Sequence, residues 1–220
     1  MKLQPPALPL RTLKYRLVIF DSDGTLADTL PWLRRVFNEL ADKHGFKRVE
    51  ADEMERLREL HGRELLQALA LPLWKVPQVA RSMRVRMARD IGQFSLFAGV
   101  GEMLRRLAAD RVTMGIVSSN SRENVERILG PARAGWIAHF ACGASLFGKA
   151  PKLRQLLRAS GIPPAEAIYI GDEVRDAEAS RKAGMAFGAV AWGHHDERIL
   201  RAQKPEAFFN TAEEIVAALR

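Results

Sequence analysis

Leu17-Val18-Ile19-Phe20-Asp21-Ser22-Asp23-Gly24-Thr25-Leu26 is the stretch whose reading decides the fold. Its first four residues form an apolar run that reads as a short buried strand of a parallel sheet. At Phe20 the sequence switches at once to two carboxylates and a glycine. In open α/β sheets, ligands bind beyond the carboxyl ends of the strands. Asp21 and Asp23 are therefore placed where such a fold does its chemistry, at the tip of a central strand. Residues two apart in an extended chain point the same way, so both acids can reach one group. The competing reading is an ordinary turn, because Asp, Ser and Gly are common after strands.

Outward from that stretch the chain divides in two. Thr29 is a candidate helix cap and Pro31 suits a first turn; Leu33, Val36, Phe37, Leu40 and His44 then recur at helical spacing until Gly45. Further helical runs are expected over 51–60, 63–70 and 76–91, with Pro72 and Pro77 as punctuation. No strand pattern occurs between Asp28 and Phe94. Strand–helix alternation then returns. Helices are predicted over 99–111, 121–129, 151–160, 173–183 and 211–219. Strands are predicted over 16–20, 112–117, 137–142, 167–170 and 187–191, with a short edge strand at 206–209. This pattern predicts an α/β fold with a doubly wound parallel sheet and a small all-helical insert after the first strand. The expected division is a core of 1–28 and 95–220 and an insert of 29–94. Residues 1–14, broken by Pro5, Pro6 and Pro9, read as a poorly ordered arm with no signal-peptide core.

The first stretch resembles the opening motif of the haloacid-dehalogenase-like superfamily, Asp-x-Asp-Gly-Thr-Leu after an apolar strand. The resemblance covers about residues 15–219 and implies a Rossmann-like core with an α-helical cap. It implies that Asp21 is the nucleophile and carries the phosphoryl group as an aspartyl-phosphate. Asp23 is then the acid for the leaving alcohol and the base for the hydrolytic water. Asp two residues after the nucleophile resembles the phosphatases and phosphomutases rather than the dehalogenases. Ser118, after Gly115-Ile116-Val117, resembles the second motif, a hydroxyl that bonds phosphoryl oxygens; Ser119 and Asn120 follow as further donors. Gly171-Asp172-Glu173-Val174-Arg175-Asp176 resembles the fourth. It implies a Mg²⁺ site built from Asp21, the Asp23 carbonyl oxygen and Asp172, with Asp176 as an auxiliary acid. Like charges packed at about 4 Å cost on the order of 4 kcal/mol per pair at an effective dielectric of ~20, so a lysine is wanted. Lys149 and Lys152 are the candidates for the third motif, and Lys149 is preferred because it follows Gly148 and precedes the predicted helix. The usual Lys-Pro-x-Pro spelling is absent.

His61-Gly62-Arg63, between two helical runs of the insert, resembles the glycine-containing specificity loop of capped phosphatases. Arg63 could then pair with a substrate carboxylate or second phosphate, and His61 could add a hydrogen bond. An ordinary helix–helix turn is the equal alternative. The implied activity is a Mg²⁺-dependent, phosphoglycolate-phosphatase-like phosphomonoesterase acting on a small phosphorylated metabolite. A phosphomutase, or a basic polyanion-binding protein, is the alternative.

Composition sets the remaining bounds. Apolar content of 47% and charged content of 27% in 220 residues suit a globular protein. No apolar run is long enough to span a bilayer, and the lone Cys142 excludes an internal disulfide framework. A cytoplasmic monomer or homodimer is expected, with Cys142 as a buried small hydrophobe. The net charge of +8 and pI near 10.0 raise the question of nucleic acid. The arginines are spread along the chain without an aromatic-plus-basic motif, which favours solvated faces over a nucleic-acid surface.

Overall fold

The computed structural model of the chain describes residues 14–143 and 148–219. The arm expected over 1–14 lies, up to residue 13, outside the described residues. In chain order the first elements are β1 (Leu17–Phe20), α1 (Leu30–His44), α2 (Ala51–Leu57), α3 (Gly62–Ala68), α4 (Val76–Arg89) and α5 (Val100–Ala109). They are followed by β2 (Thr113–Val117), α6 (Arg122–Leu129), α7 (Pro131–Ala134), β3 (His139–Ala141), α8 (Lys149–Ser160) and β4 (Ala167–Gly171). The chain closes with α9 (Val174–Ala183), β5 (Ala186–Val190), α10 (Glu197–Ala202), β6 (Ala207–Phe209) and α11 (Ala212–Ala218).

The strands form one six-stranded sheet in the order β3-β2-β1-β4-β5-β6, with every pairing parallel. This is the doubly wound α/β architecture expected from the alternation, and β1 is central. All four β1 residues are buried. Val18 and Phe20 pack with α5, α6 and α11 on one face. Leu17 and Ile19 pack with α8 and α9 on the other. Period-2 alternation thus gives each face its own core, and both cores are apolar because helices cover both sides.

The strand order reverses between β1 and β4. Phe20 is level with Ile116 on one neighbour and Ile170 on the other. The residues just past these three strands are Asp21, Ser118 and Asp172, so the register alone gathers them at one edge of the sheet.

The segment between β1 and α5 is helical, with no strand between Asp28 and Phe94 among the described residues. It has its own apolar cluster around Trp32, Val36, Leu40, Val76 and Met87. Its two connections to the sheet lie side by side: Ala27 bridges Leu96 in antiparallel fashion, and Asp28 N donates to Ser95 O at 3.0 Å. Several details differ from the sequence reading. Thr29 sits at the N-cap of α1 but makes no capping bond with its side chain. The helical runs expected to end at residues 60 and 70 stop at Leu57 and Ala68. α8 begins at Lys149, two residues before the predicted start. Pro151 is accommodated because first-turn N–H groups have no intrahelical partner. Cys142 is half-buried against the α5-side core rather than fully enclosed, and burial pushes its thiol pKa up to about 11.

Candidate active site

Asp21 leaves β1 with its backbone still in register, donating to Ile170 O at 2.9 Å. The chain then turns sharply: Leu26 N and Ala27 N both reach Ser22 O at 2.9 Å, and Gly24 N reaches Ala27 O at 2.9 Å. Gly24 has φ 80°, a left-handed value that a side chain tolerates poorly. It is also crowded, because a Cβ there would stand 2.2 Å from Asp172 Oδ2. The Asp-x-Asp-Gly-Thr turn is therefore folded directly against the acid from β4.

Lys149 Nζ donates to Asp21 Oδ2 at 2.7 Å and to Asp176 Oδ1 at 2.5 Å, and all three side chains are buried. The helix start at Lys149 delivers the ammonium into the acid cluster, whereas Lys152 is only half-buried one turn further along. Asp176 has further partners. Tyr169 Oη also donates to its Oδ1 at 3.1 Å, and Glu173 N donates to its Oδ2 at 3.1 Å as part of a capping box on α9. Asp172 accepts from Thr25 Oγ1 at 2.6 Å on Oδ1, and from His194 N and His194 Nδ1, each at 2.8 Å, on Oδ2.

Carboxylate oxygens of Asp21, Asp172 and Asp176 lie within 4.8 Å of one another. These three buried acids could hold a metal ion, and carboxylate oxygens are hard donors that suit a divalent cation. The Asp23 side chain lies outside this trio. Asp23 accepts from Asn120 Nδ2 at 3.4 Å, and Asn120 is oriented in turn by Asn124 Nδ2 and Ser121 N, both at 2.9 Å from its Oδ1. Ser118 is buried, and its Oγ accepts from Asn120 N at 3.0 Å. Ser121 caps α6, so Ser118 and Asn120 are free of the capping role.

Burial is the largest influence on Asp21 and raises its pKa to about 8, against the pull of Lys149. Burial also raises Asp23, with His194 acting the other way. For Asp172, burial is outweighed by the charge and hydrogen bonds of His194, which hold its carboxyl below the usual range. Burial likewise lowers His194, but Asp172 prevails and lifts it to about 9. The ring is then protonated near neutrality. Nδ1 donates to Asp172, and Nε2 lies 3.4 Å from Thr29 Oγ1, the hydroxyl that does not cap α1. Lys149 stays charged because Asp176 and Asp21 overcome its desolvation.

The insert touches this edge at several points. His61 precedes α3, and its ring stands 6.5 Å from that of His195. His61 Nδ1 is buried and has no hydrogen-bond partner. Gly62 and Arg63 are exposed in the first turn of α3. Arg84 of α4 donates to Ser119 O at 3.2 Å, beside the Ser118 loop, and Ser119 itself is half-buried. Sequence reasoning missed His194 and His195. They follow β5 as Gly193-His194-His195, and the strand-end rule applied to that strand would have flagged them.

The haloacid dehalogenase-like hydrolase family model matches residues 18–190. The chain is 32% identical over 205 residues to a phosphoglycolate phosphatase from Synechococcus elongatus, covering 92% of this chain and 96% of that one. A phosphoglycolate phosphatase from Xanthomonas campestris is 31% identical over 191 residues, covering 81% and 84%. A solved haloacid dehalogenase-like family hydrolase from Streptococcus pneumoniae superposes with a TM-score of 0.77 at 20% identity, covering 94% of this chain and 99% of that one. The chain belongs to the haloacid dehalogenase-like hydrolase family. Within that family it is an enzyme of the phosphatase type, phosphoglycolate-phosphatase-like in sequence. No helix among the described residues is long and apolar enough to cross a membrane.

Proposed function

We propose that this enzyme hydrolyses a small phosphate monoester through an aspartyl-phosphate on Asp21, with Mg²⁺ as its cofactor. One observation carries the reading. Asp21 sits at the carboxyl end of the central strand with one oxygen held by Lys149 and its carboxyl grouped with Asp172 and Asp176. In the first step ionised Asp21, a form that the charge of Lys149 favours against burial and that a bound Mg²⁺ would favour further, attacks phosphorus through one oxygen while the bond from phosphorus to the alcohol oxygen breaks. Asp23, whose raised pKa favours the protonated form, gives its proton to that oxygen. In the second step Asp23 takes a proton from water as the water attacks phosphorus, and phosphate leaves Asp21. Ser118, Ser119, Asn120 and Lys149 hold the phosphoryl oxygens. Lys149, itself held by Asp176, keeps Asp21 in place. Asp21, Asp172 and the Asp23 carbonyl oxygen would hold Mg²⁺, which supplies charge neutralisation of the phosphate and acids when bound.

The substrate class follows from the insert, acting as a cap. The core groups are all spent on the phosphate, so discrimination falls to what covers the cleft. Within the His61-Gly62-Arg63 segment, His61, with its buried unpaired nitrogen, is the residue turned toward the core, while Arg63 is exposed. A small phosphorylated carboxylate such as phosphoglycolate is the preferred candidate, given the substrate named for the relatives. Many surface arginines, Arg48, Arg105, Arg122 and Arg201 among them, are paired with exposed carboxylates, which supports the solvated-face reading of the positive charge. Initial rates on a panel of phosphate monoesters with Mg²⁺ test the proposal. Turnover of phosphoglycolate well above generic aryl phosphates is expected. No turnover of any monoester overturns it.

A further inference from the structure

Beyond β5 the chain forms a loop, Gly193-His194-His195, clamped between Asp172 and the helical insert. On its inner side, His194 N donates to Asp172 Oδ2 at 2.8 Å and His195 N donates to Asp172 O at 3.4 Å. Gly193 lies so close that a Cβ there would stand 2.0 Å from Asp172 Cβ. His195 Nδ1 accepts from Val174 N at 3.0 Å, so the loop also ties down the first turn of α9.

On its outer side the carbonyls of Gly193 and His194 meet one residue. Arg58, which caps the C-terminus of α2, donates Nη2 to Gly193 O at 3.1 Å and Nε to His194 O at 2.8 Å. Its Nη1 is anchored to Glu55 Oε2 at 3.0 Å, and Asp196 N returns a bond to Arg58 O at 3.3 Å. The pairing is systematic. The peptide joining Gly193 to His194 has its carbonyl on Arg58 and its N–H on Asp172. The next peptide, joining His194 to His195, does the same. A peptide unit is rigid and planar, so neither can rotate without breaking a bond at both ends. A carbonyl polarised by a guanidinium also makes the N–H of the same unit a better donor.

We propose that Arg58 is a positioning residue for Asp172. Through two rigid peptide units it sets the aspartate when the insert sits on the core, so metal affinity at the cleft depends on the insert's position. The inference rests on the Mg²⁺-dependent reading above. A planar fork that spans two successive carbonyls is needed, and a lysine ammonium cannot reproduce it.

The test is calorimetric titration of substrate-free protein with MgCl₂, alongside kcat and KM for a small aryl phosphate. Residues that orient metal ligands typically change metal affinity by about 10–100-fold when mutated. Arg58→Gln is expected to weaken Mg²⁺ binding by about tenfold and to lower kcat, with KM for the aryl phosphate unchanged. Arg58→Lys, which keeps the charge, is expected to behave the same way and serves alone if Arg58→Gln does not fold. Glu59→Gln removes the exposed cross-boundary pair with Arg198 (2.6 Å) and should leave both readouts at wild-type values. A folded Arg58 variant with wild-type Mg²⁺ affinity and only a lowered Tm overturns the inference, because a purely structural latch gives that result. Wild-type protein that neither binds Mg²⁺ nor hydrolyses a monoester overturns the reading beneath it, and this inference with it.

Discussion

Replacing Lys149 by Met tests how the site holds its charges. The side chain is 2% exposed, and its two partners, Asp21 and Asp176, are 4% and 0% exposed. Methionine keeps an unbranched stem but leaves both carboxylates without their cation. Their oxygens lie within 4.8 Å of each other and of Asp172. One like-charge pair at that separation costs about 3–4 kcal/mol at an effective dielectric of ~20. Removing one partner of a buried ion pair typically costs about 3–5 kcal/mol. The expected loss of stability in EDTA at pH 8 is therefore about 3–5 kcal/mol. The sign of its pH dependence follows from the carboxyls. Asp21, raised from 3.8 to about 8, holds its proton over most of the range from pH 5 to pH 8 with or without Lys149, so the difference falls on Asp176, which burial raises and which loses the opposing pull of Lys149. Between the unfolded and folded values the folded protein binds more protons than the unfolded chain, so its stability falls as pH rises. At pH 5 the mutant can protonate a carboxyl, and the loss should shrink to about 1–2 kcal/mol. Lys149 itself does not titrate in this window, because its pKa is raised from 10.5. Urea unfolding at both pH values, with a shared m-value, measures the difference. A loss below about 1 kcal/mol at pH 8, or an equal loss at both pH values, refutes the reasoning.

The other expectations concern proton, metal and histidine. Asp23→Asn should slow turnover most for monoesters with poor alcohol leaving groups; equal slowing across leaving groups of very different pKa argues against the acid role. EDTA should abolish activity and Mg²⁺ restore it, with Asp172→Ala needing more Mg²⁺ than wild type; full activity in chelator contradicts the metal assignment. His194 is raised from 6.5 to about 9, so its contribution is fully present below pH 6.5 and is lost as pH rises through 9. Over that window metal-free wild type should lose about 3 kcal/mol more stability than His194→Gln, and parallel pH profiles would count against the His194–Asp172 pair.

The fold was readable because short apolar runs alternated with helical ones, and because β1 switches from Phe20 to Asp21 without a spacer. The gathering of Asp21, Ser118 and Asp172 was equally readable, since parallel register brings strand ends to one edge. Helix limits were less so. Pro151 resembles a first helical residue, yet the helix starts at Lys149, because hydrogen-bond onset leaves no mark on apolar spacing. α7 and α10 are too short to show a period. Thr29 has the right residue type for a cap, but its hydroxyl faces His194, a partner 165 positions away. Arg58 gave no signal at all: it is one of many arginines, and only the tertiary placement of two carbonyls singles it out.

The central claim is covalent catalysis at Asp21, and rapid acid quench of a single turnover addresses it most directly. With phosphate-labelled monoester and Mg²⁺, label should appear on the protein and decay with the release of phosphate. Borohydride reduction followed by mass spectrometry should place it on Asp21, and folded Asp21→Asn should show neither label nor turnover. Turnover without a labelled protein, label on another residue, or activity in folded Asp21→Asn would contradict the account.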